Sequence, residues 1–586
     1  EFDLADEEQT KQILKQGKVL ILLDGLDEVP SLSRREVQEH IYKFSQSTQY
    51  YKNRFILTCR TQTTEYISDK FDCVEVAEFK PEQVESFARN WFVALAETPE
   101  QAAEIQAKFI AKLTENKPTA ELAVTPILLS LTCWVFNDLK DLPAKRSNLY
   151  ERGVNLLLQE WDEKRGIRRT AGSERYRNLS LAGKKKLLSY LAAHKFEQEQ
   201  FILFEQDEIQ EYLAEYLDIS NEESQEVLKA IEAQHGLLIE RAQRIWSFSH
   251  RTFQEYLTAQ HIYHHRQIEQ LVANHLTNQH IYHYSQIEQL VTANLTNERW
   301  EEVFLLVAGL MGGGADELLL LMEKETQQYI NTPKLQTLLT WADWVTARSE
   351  GDCKPAVKRA TVIFIARRFN YYLDCDIALA IARALDSTLD HSFERDINHD
   401  FALLNNPKRD PNLDFELVKA LDSDYALTRV FNLALGGVCC KPEIDSQDRS
   451  GYILISAFNS AIQSEFALIH ELEDIKIFQY VNFKALITRL KELQTKFTKP
   501  NKILEVEGYQ IVEMEVYQEF VKRIYHTWIE ALNLSLETVN LSEGELAALQ
   551  NYFHGNWLIA KCNEEAVQVP RKTWEEIEKR MLLWAS

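Results

Sequence analysis

The run Val19 to Leu23, VLILL, is five apolar residues with no polar face. A strand of this kind has to be covered on both sides, as in a parallel sheet between helices. A second run, RFILTCR from Arg54 to Arg60, is nearly as apolar. Between the two, Ser33 and Glu36 stand at capping-box spacing and open a helix through Arg35 to Ser45. Strand, helix, strand at this spacing predicts a right-handed parallel crossover. Sheets of that type carry their chemistry at the carboxyl ends of the strands. Asp24 sits at such an end, and Asp27 and Glu28 follow on the loop beyond Gly25, within reach of one cation or one water. Arg60 falls at the same sheet edge. The plainer alternative is a solvated acidic loop with a surface arginine nearby.

At 586 residues the chain is long enough for three or four domains and a large core. Hydrophobic residues at 45% and charged residues at 26% fit an ordinary globular protein, and no apolar run is long enough to span a bilayer. The formal net charge of −24 repels phosphate backbones and anionic membranes over most of the surface. Neither a membrane nor a nucleic acid is an expected partner. The eight cysteines contain no CxxC pair, which predicts reduced thiols in a cytoplasmic protein rather than a disulfide frame.

A short strand around Cys73 to Val76 leads to Pro81, whose fixed φ suits the first turn of a helix. Residues 81–144 read as a small helical bundle with LAVTPILLSLTCWVF as its most buried element, in which Pro126 either opens a helix or kinks one. In residues 145–260, helices at Leu149 to Arg165, Leu181 to His194 and Ser224 to His235 precede two β-rich runs joined by a turn at Ala242 and Gln243. That pattern describes a winged helix. Trp246, Phe248 and His250 alternate, placing all three on one strand face, the inner one. Residues 261–299 hold a tandem copy: 13 of 19 positions match between His261–Gln279 and His280–Glu298. It reads as a duplicated helical linker. The histidines 261, 264, 265, 280 and 283 at helical spacing suggest a metal site, but the duplication accounts for their density more simply. Residues 300–470 read as helical, broken at Gly312 to Gly314, with LAIARALDS (379–387) echoed by FELVKALDS (415–423) as in a helical-hairpin solenoid. Residues 471–586 read as a separate, mostly helical domain with a strand pair near Ile503 to Met514.

The motifs LILLDGLDEV, FILTCR, TPILLSLTC and FSHRTFQEYLTAQ, in this order, resemble those of bacterial NACHT-type signal-transduction NTPases. The resemblance spans about residues 15–260. It implies a fold that is mostly α with a small partial parallel α/β portion: a truncated P-loop NTPase core in residues 1–80, the helical bundle, the winged helix and a helical-repeat carboxyl region. It implies that Asp24 is the Walker B acid on Mg²⁺, that Asp27 and Glu28 orient the attacking water, and that Arg60 reads the terminal phosphate. Pro126 would pack on adenine, and His250 would reach the β-phosphate of ADP. In the intact protein, ligand sensing by the helical region would displace the winged helix, exchange ADP for ATP and drive self-association, with an output in defence against phage.

One departure is severe. No G-x-x-x-x-G-K-[ST] occurs in the 586 residues, so the amide cradle and lysine for the β- and γ-phosphates are missing. Only 23 residues precede Asp24, whereas one crossover unit needs about 30. The expectation is therefore the carboxyl part of a longer protein, which alone holds no nucleotide tightly and hydrolyses none. The alternative is a non-enzymatic helical scaffold with a vestigial NTPase remnant.

Overall fold

Residue Asn53 does most to fix the first sheet. The computed structural model describes residues 7–23, 31–58 except 48, 71, 79–115, 119–163 except 121–122 and 125, 174–275, 286–367 except 352–353, 452–498 except 455, and 503–584 except 507–508. The chain divides into two units, residues 1–277 and 278–586.

In the first unit, helix α1 (Glu7–Lys15) leads to strand β1 (Leu20–Leu23), helix α2 (Ser31–Ser45) and strand β2 (Arg54–Leu57). The two strands pair in parallel with Leu20 opposite Arg54 and Leu23 opposite Leu57. The helix begins at Ser31, so Ser33 lies in its first turn rather than capping it. Asn53 is buried ahead of β2; its Nδ2 donates to the carbonyls of Leu14 (2.8 Å) and Tyr50 (2.9 Å), and its Oδ1 accepts from Val19 N–H (3.0 Å). Those three bonds tie α1, β1 and β2 at one end and set the register. Asn53→Ala is expected to cost about 2 kcal/mol, because the amides and carbonyls lose their partner in a half-dry site. Faster amide exchange along β1 checks this.

Among the described residues, cover on one face of this sheet comes from α2. Phe44 of α2 meets Phe55 edge-on at 5.4 Å, and Ile21, Leu23, Phe55 and Leu57 on that face are half-buried. On the other face Leu20, Leu22 and Ile56 are 52%, 66% and 50% exposed. Among the described residues the sheet has two strands, with that face left uncovered.

Helices α3 (Pro81–Leu95), α4 (Pro99–Glu115) and α5 (Pro126–Leu139) form the bundle. Phe92, Phe109 and Phe136, one from each helix, meet edge to face at 5.3–6.1 Å and are buried. Pro81 and Pro126 each open a helix, where a missing N–H costs nothing. Cys133 of α5 is free and buried in this core, and burial pushes its thiol up to about 12.

The winged-helix region runs α6 (Arg146–Glu163), α7 (Glu174–Arg177), α8 (Leu181–Phe196), β3 (Leu203–Glu205), α9 (Gln206–Leu217), α10 (Asn221–His235), β4 (Leu238–Ala242), β5 (Ile245–Phe248) and α11 (Arg251–His275). Strand β3 and helix α9 are additions to the sequence reading. The sheet order is β3-β5-β4, all antiparallel. The turn falls at Gln243 and Arg244, one residue later than predicted, with Arg244 at φ 64° and its N–H donating to Glu240 Oε1 (2.8 Å). Helix α11 runs unbroken through residue 260.

His235 ends α10 with Nδ1 3.3 Å from the Leu157 carbonyl. Burial, then the Lys184 charge, push its pKa down to about 4, against that hydrogen bond. The ring is neutral when folded, whereas the unfolded chain takes up the proton near the ordinary value of about 6.5. Its contribution is therefore full above about 6.5 and is lost as pH falls toward the folded value. At about pH 5, His235→Gln should recover about 2 kcal/mol relative to its effect at neutral pH, read by denaturant titration.

In the second unit, α12 (Gln286–Asn294), α13 (Glu301–Leu310), α14 (Ala315–Gln327), α15 (Pro333–Thr346) and α16 (Pro355–Arg367) come first. Gly312 (φ 57°) and Gly314 (φ 91°) make the predicted break. Strand β6 (Tyr452–Leu454), α17 (Ser456–Ile475), α18 (Phe483–Phe497), β7 (Leu504–Val506), β8 (Tyr509–Glu513), α19 (Met514–Ala531), α20 (Leu536–Val539), α21 (Glu543–Glu565) and α22 (Arg571–Arg580) follow. Position 470 falls inside α17, β6 pairs with β8, and α21 packs on α13 and α14. Hydrogen bonds and apolar surface join the two stretches. The 379–387 and 415–423 repeats, and the strand at 73–76, lie outside the described residues. No described helix is long and apolar enough to cross a membrane. The fold is mostly helical with one small parallel sheet.

Candidate functional site

The parallel register decides where the candidate site residues start from. Thr58 N–H donates to the Leu23 carbonyl at 2.9 Å, so the carboxyl ends of β1 and β2 lie side by side. Asp24 is the next residue after one strand end, and Arg60 comes three residues after the other. Asp24, Asp27, Glu28 and Arg60 themselves lie outside the described residues. Asn53 anchors the opposite end of the same strand pair.

Pro126 is the first residue of α5, exposed, and its carbonyl accepts from Ser130 Oγ at 2.8 Å. Just ahead of it Phe79 N–H donates to the Val124 carbonyl (2.8 Å), which ties the entry of α3 to the entry of α5.

His250 departs from the sequence reading. Trp246 and Phe248 are buried in the sheet core as expected, but β5 ends at Phe248 and His250 sits half-buried in the bend before α11. Ser249 N–H donates to the Leu237 carbonyl at 2.8 Å and closes the strand there. The Thr252 N–H donates to His250 Nδ1 at 3.3 Å, with the Thr252 hydroxyl 2.9 Å from the same nitrogen. An accepting Nδ1 puts the proton of the neutral ring on Nε2. His250 is thus a donor at the start of a 25-residue helix, where partial positive charge favours an anionic oxygen. The neighbouring Arg251 is committed to Glu255 at 2.7 Å and lies over the Phe201 ring at 5.5 Å.

Sequence reasoning missed Asn53 and Thr252. Asn53 carries a weak signal, a polar residue directly before an apolar run. Thr252 carries none beyond its spacing from His250. Among the described residues no group of three metal-ligating side chains is close enough to hold an ion.

Three stretches of the chain match known families. Residues 3–94 match the NACHT domain, 146–262 the winged helix-turn-helix domain C-terminal to NACHT, and 486–584 the NACHT C-terminal helical domain 2. These are NACHT-family domains. Domains of this family point to an NTPase signalling protein. No protein with a curated description matches the sequence. The NACHT match covers β1, β2 and α3, and the winged-helix match ends within α11, so His250 and Thr252 both fall inside it.

Proposed function

We propose that these residues are the nucleotide-gated switch of a NACHT-family signalling NTPase, controlled by exchange of ADP for ATP and read out by self-association. Asp24 holds Mg²⁺ directly or through water, Asp27 and Glu28 orient the attacking water, and Arg60 contacts the terminal phosphate. Phosphoryl transfer needs this positioning and charge neutralisation more than covalent chemistry. Pro126 packs on adenine and His250 donates from Nε2 to the β-phosphate of ADP, which holds the winged helix closed. The helical region from about residue 300 senses a ligand, and the protein acts in the cytoplasm, in defence against phage.

The observation that carries this reading is His250: it sits in the bend at the start of α11 with Nδ1 accepting from Thr252, which puts the neutral ring's proton on Nε2. The phosphate loop does not fit within these residues, because no G-x-x-x-x-G-K-[ST] is present. The 586 residues by themselves are therefore expected to bind ADP weakly and to hydrolyse no ATP.

Calorimetric ADP titration and ATP turnover, with these residues and with a version extended upstream, test the reading. In the extended protein Asp24→Asn should lower turnover about 10²-fold by removing one preorganised charge, and His250→Ala should weaken ADP about tenfold by removing a donor to a charged oxygen. Unchanged turnover and affinity in both variants, or an upstream sequence without a phosphate loop, would leave a helical scaffold as the better account.

A further inference from the structure

Three histidines from two helices crowd one seam of the first unit. His261 of α11 lies 5.8 Å from His194 of α8 and 4.2 Å from His265, centroid to centroid. Tyr190, one turn before His194, is 4.0 Å from that ring and 6.4 Å from His261. His194 Nδ1 donates to the Tyr190 carbonyl (2.9 Å) and His265 Nδ1 donates to the His261 carbonyl (3.0 Å). With Nδ1 so engaged, Nε2 is the remaining nitrogen on each ring where a proton can sit.

The groups facing this cluster supply little to balance a positive charge. From α8 come Tyr190 and His194, and from α11 itself His264 and His265. From α9, Tyr212 and Tyr216 stand against His194 and Tyr190, and Glu215 accepts from the Tyr190 hydroxyl at 3.4 Å. Glu208 is occupied by Lys195 (2.9 Å) and Gln198 (2.9 Å), and Glu211 acts on Tyr212. From α6, Glu151 acts on Tyr256 and is 3.5 Å from Lys185. The charges that act on His261 are those of His265, His194 and His264, all of one sign once protonated. Burial first, then those neighbours, push His261 down to about 3.

We propose that the α8–α11 seam is a proton-operated latch, closed while His194, His261 and His265 are neutral and forced apart as they take up protons. Neutral rings stack face to edge and fill the seam. Charged rings repel at 4–6 Å, and among the described residues the carboxylates nearby are engaged with Tyr190, Lys195, Gln198 and Lys185. Helix α11 begins beside His250 and enters the tandem copy at His261, so loosening this seam loosens the helix that carries both. The latch needs no nucleotide and stands apart from the reading of Asp24 and Arg60.

Amide hydrogen exchange of the full chain at about pH 7.5 and about pH 5.5, corrected for intrinsic rates, tests it. Peptides covering 187–196 and 255–265 should exchange about tenfold faster at the lower pH, while α3 to α5 peptides hold steady. His261→Phe keeps an aromatic filler and should abolish the acceleration. Equal acceleration in His261→Phe, or none in the unaltered chain, overturns the proposal. Imidazole proton NMR of the unaltered chain provides a reading that needs no variant: His261 should titrate well below the ordinary value of about 6.5, and a value at 6.5 or above also overturns the proposal.

Discussion

Trp528→Ala is expected to destabilise the second unit by about 3–5 kcal/mol, the range for emptying a buried aromatic site. Trp528 is 1% exposed in α19, and its Nε1 donates to Glu465 Oε2 of α17 at 2.7 Å, with Glu465 itself 2% exposed. Truncation therefore does two things: it leaves a cavity, and it takes a donor from a carboxylate already out of water. Trp528→Phe separates them, since it keeps most of the volume and removes only the N–H, for an expected cost of about 1–3 kcal/mol. Denaturant titrations of the two variants, compared by midpoint at constant slope, check the difference. Equal losses in both would mean that the hydrogen bond, not the volume, dominates.

The next largest effect is expected at Gly555, and its sign is opposite in origin. A Cβ at Gly555 of α21 would lie 2.4 Å from Thr326 Oγ1 and 2.9 Å from its Cγ2, on α14. The two helices cross there with only a hydrogen between them. Gly555→Leu overfills the crossing and should cost about 3 kcal/mol, because a packed interface yields only by moving backbone. Gly555→Ala should cost less, and pairing it with Thr326→Ala should recover part of the loss, since the two sites share the same space. A double-mutant cycle in urea reads that coupling.

How far the sequence foretold this depends on the length of the signal. The parallel pair β1 and β2 was legible because uninterrupted apolar runs leave few options, and Pro81 marked a helix start through its fixed φ, whereas Pro126 read equally as a start or a kink. The uncovered face of Leu20, Leu22 and Ile56 was not legible, since the same run serves a covered and a half-covered strand. Strand β6 is three residues long, too short for any periodicity, and its partner β8 lies more than fifty residues on. Helix α9 escaped notice because its capping box uses Glu205 and Glu208, and Glu is a weak N-cap signal by type. His250 was assigned to the inner strand face because alternation was carried two residues past the strand end. Its bond to Thr252, and the tautomer that follows, exist only once the chain has turned into α11. Asn53 was out of reach for the same reason: its partners at 14, 19 and 50 converge only in the fold.

The crossing at Gly555 sets a timetable for making the protein. Helices α13 and α14 leave the ribosome more than two hundred residues before α21, which covers Leu318, Met322 and their neighbours. Throughout that interval the nascent chain carries an apolar surface that nothing already synthesised from α21 can shield, so the second unit has a long window of exposure to chaperones and to clumping. A stop codon anywhere before Glu543 makes that window permanent.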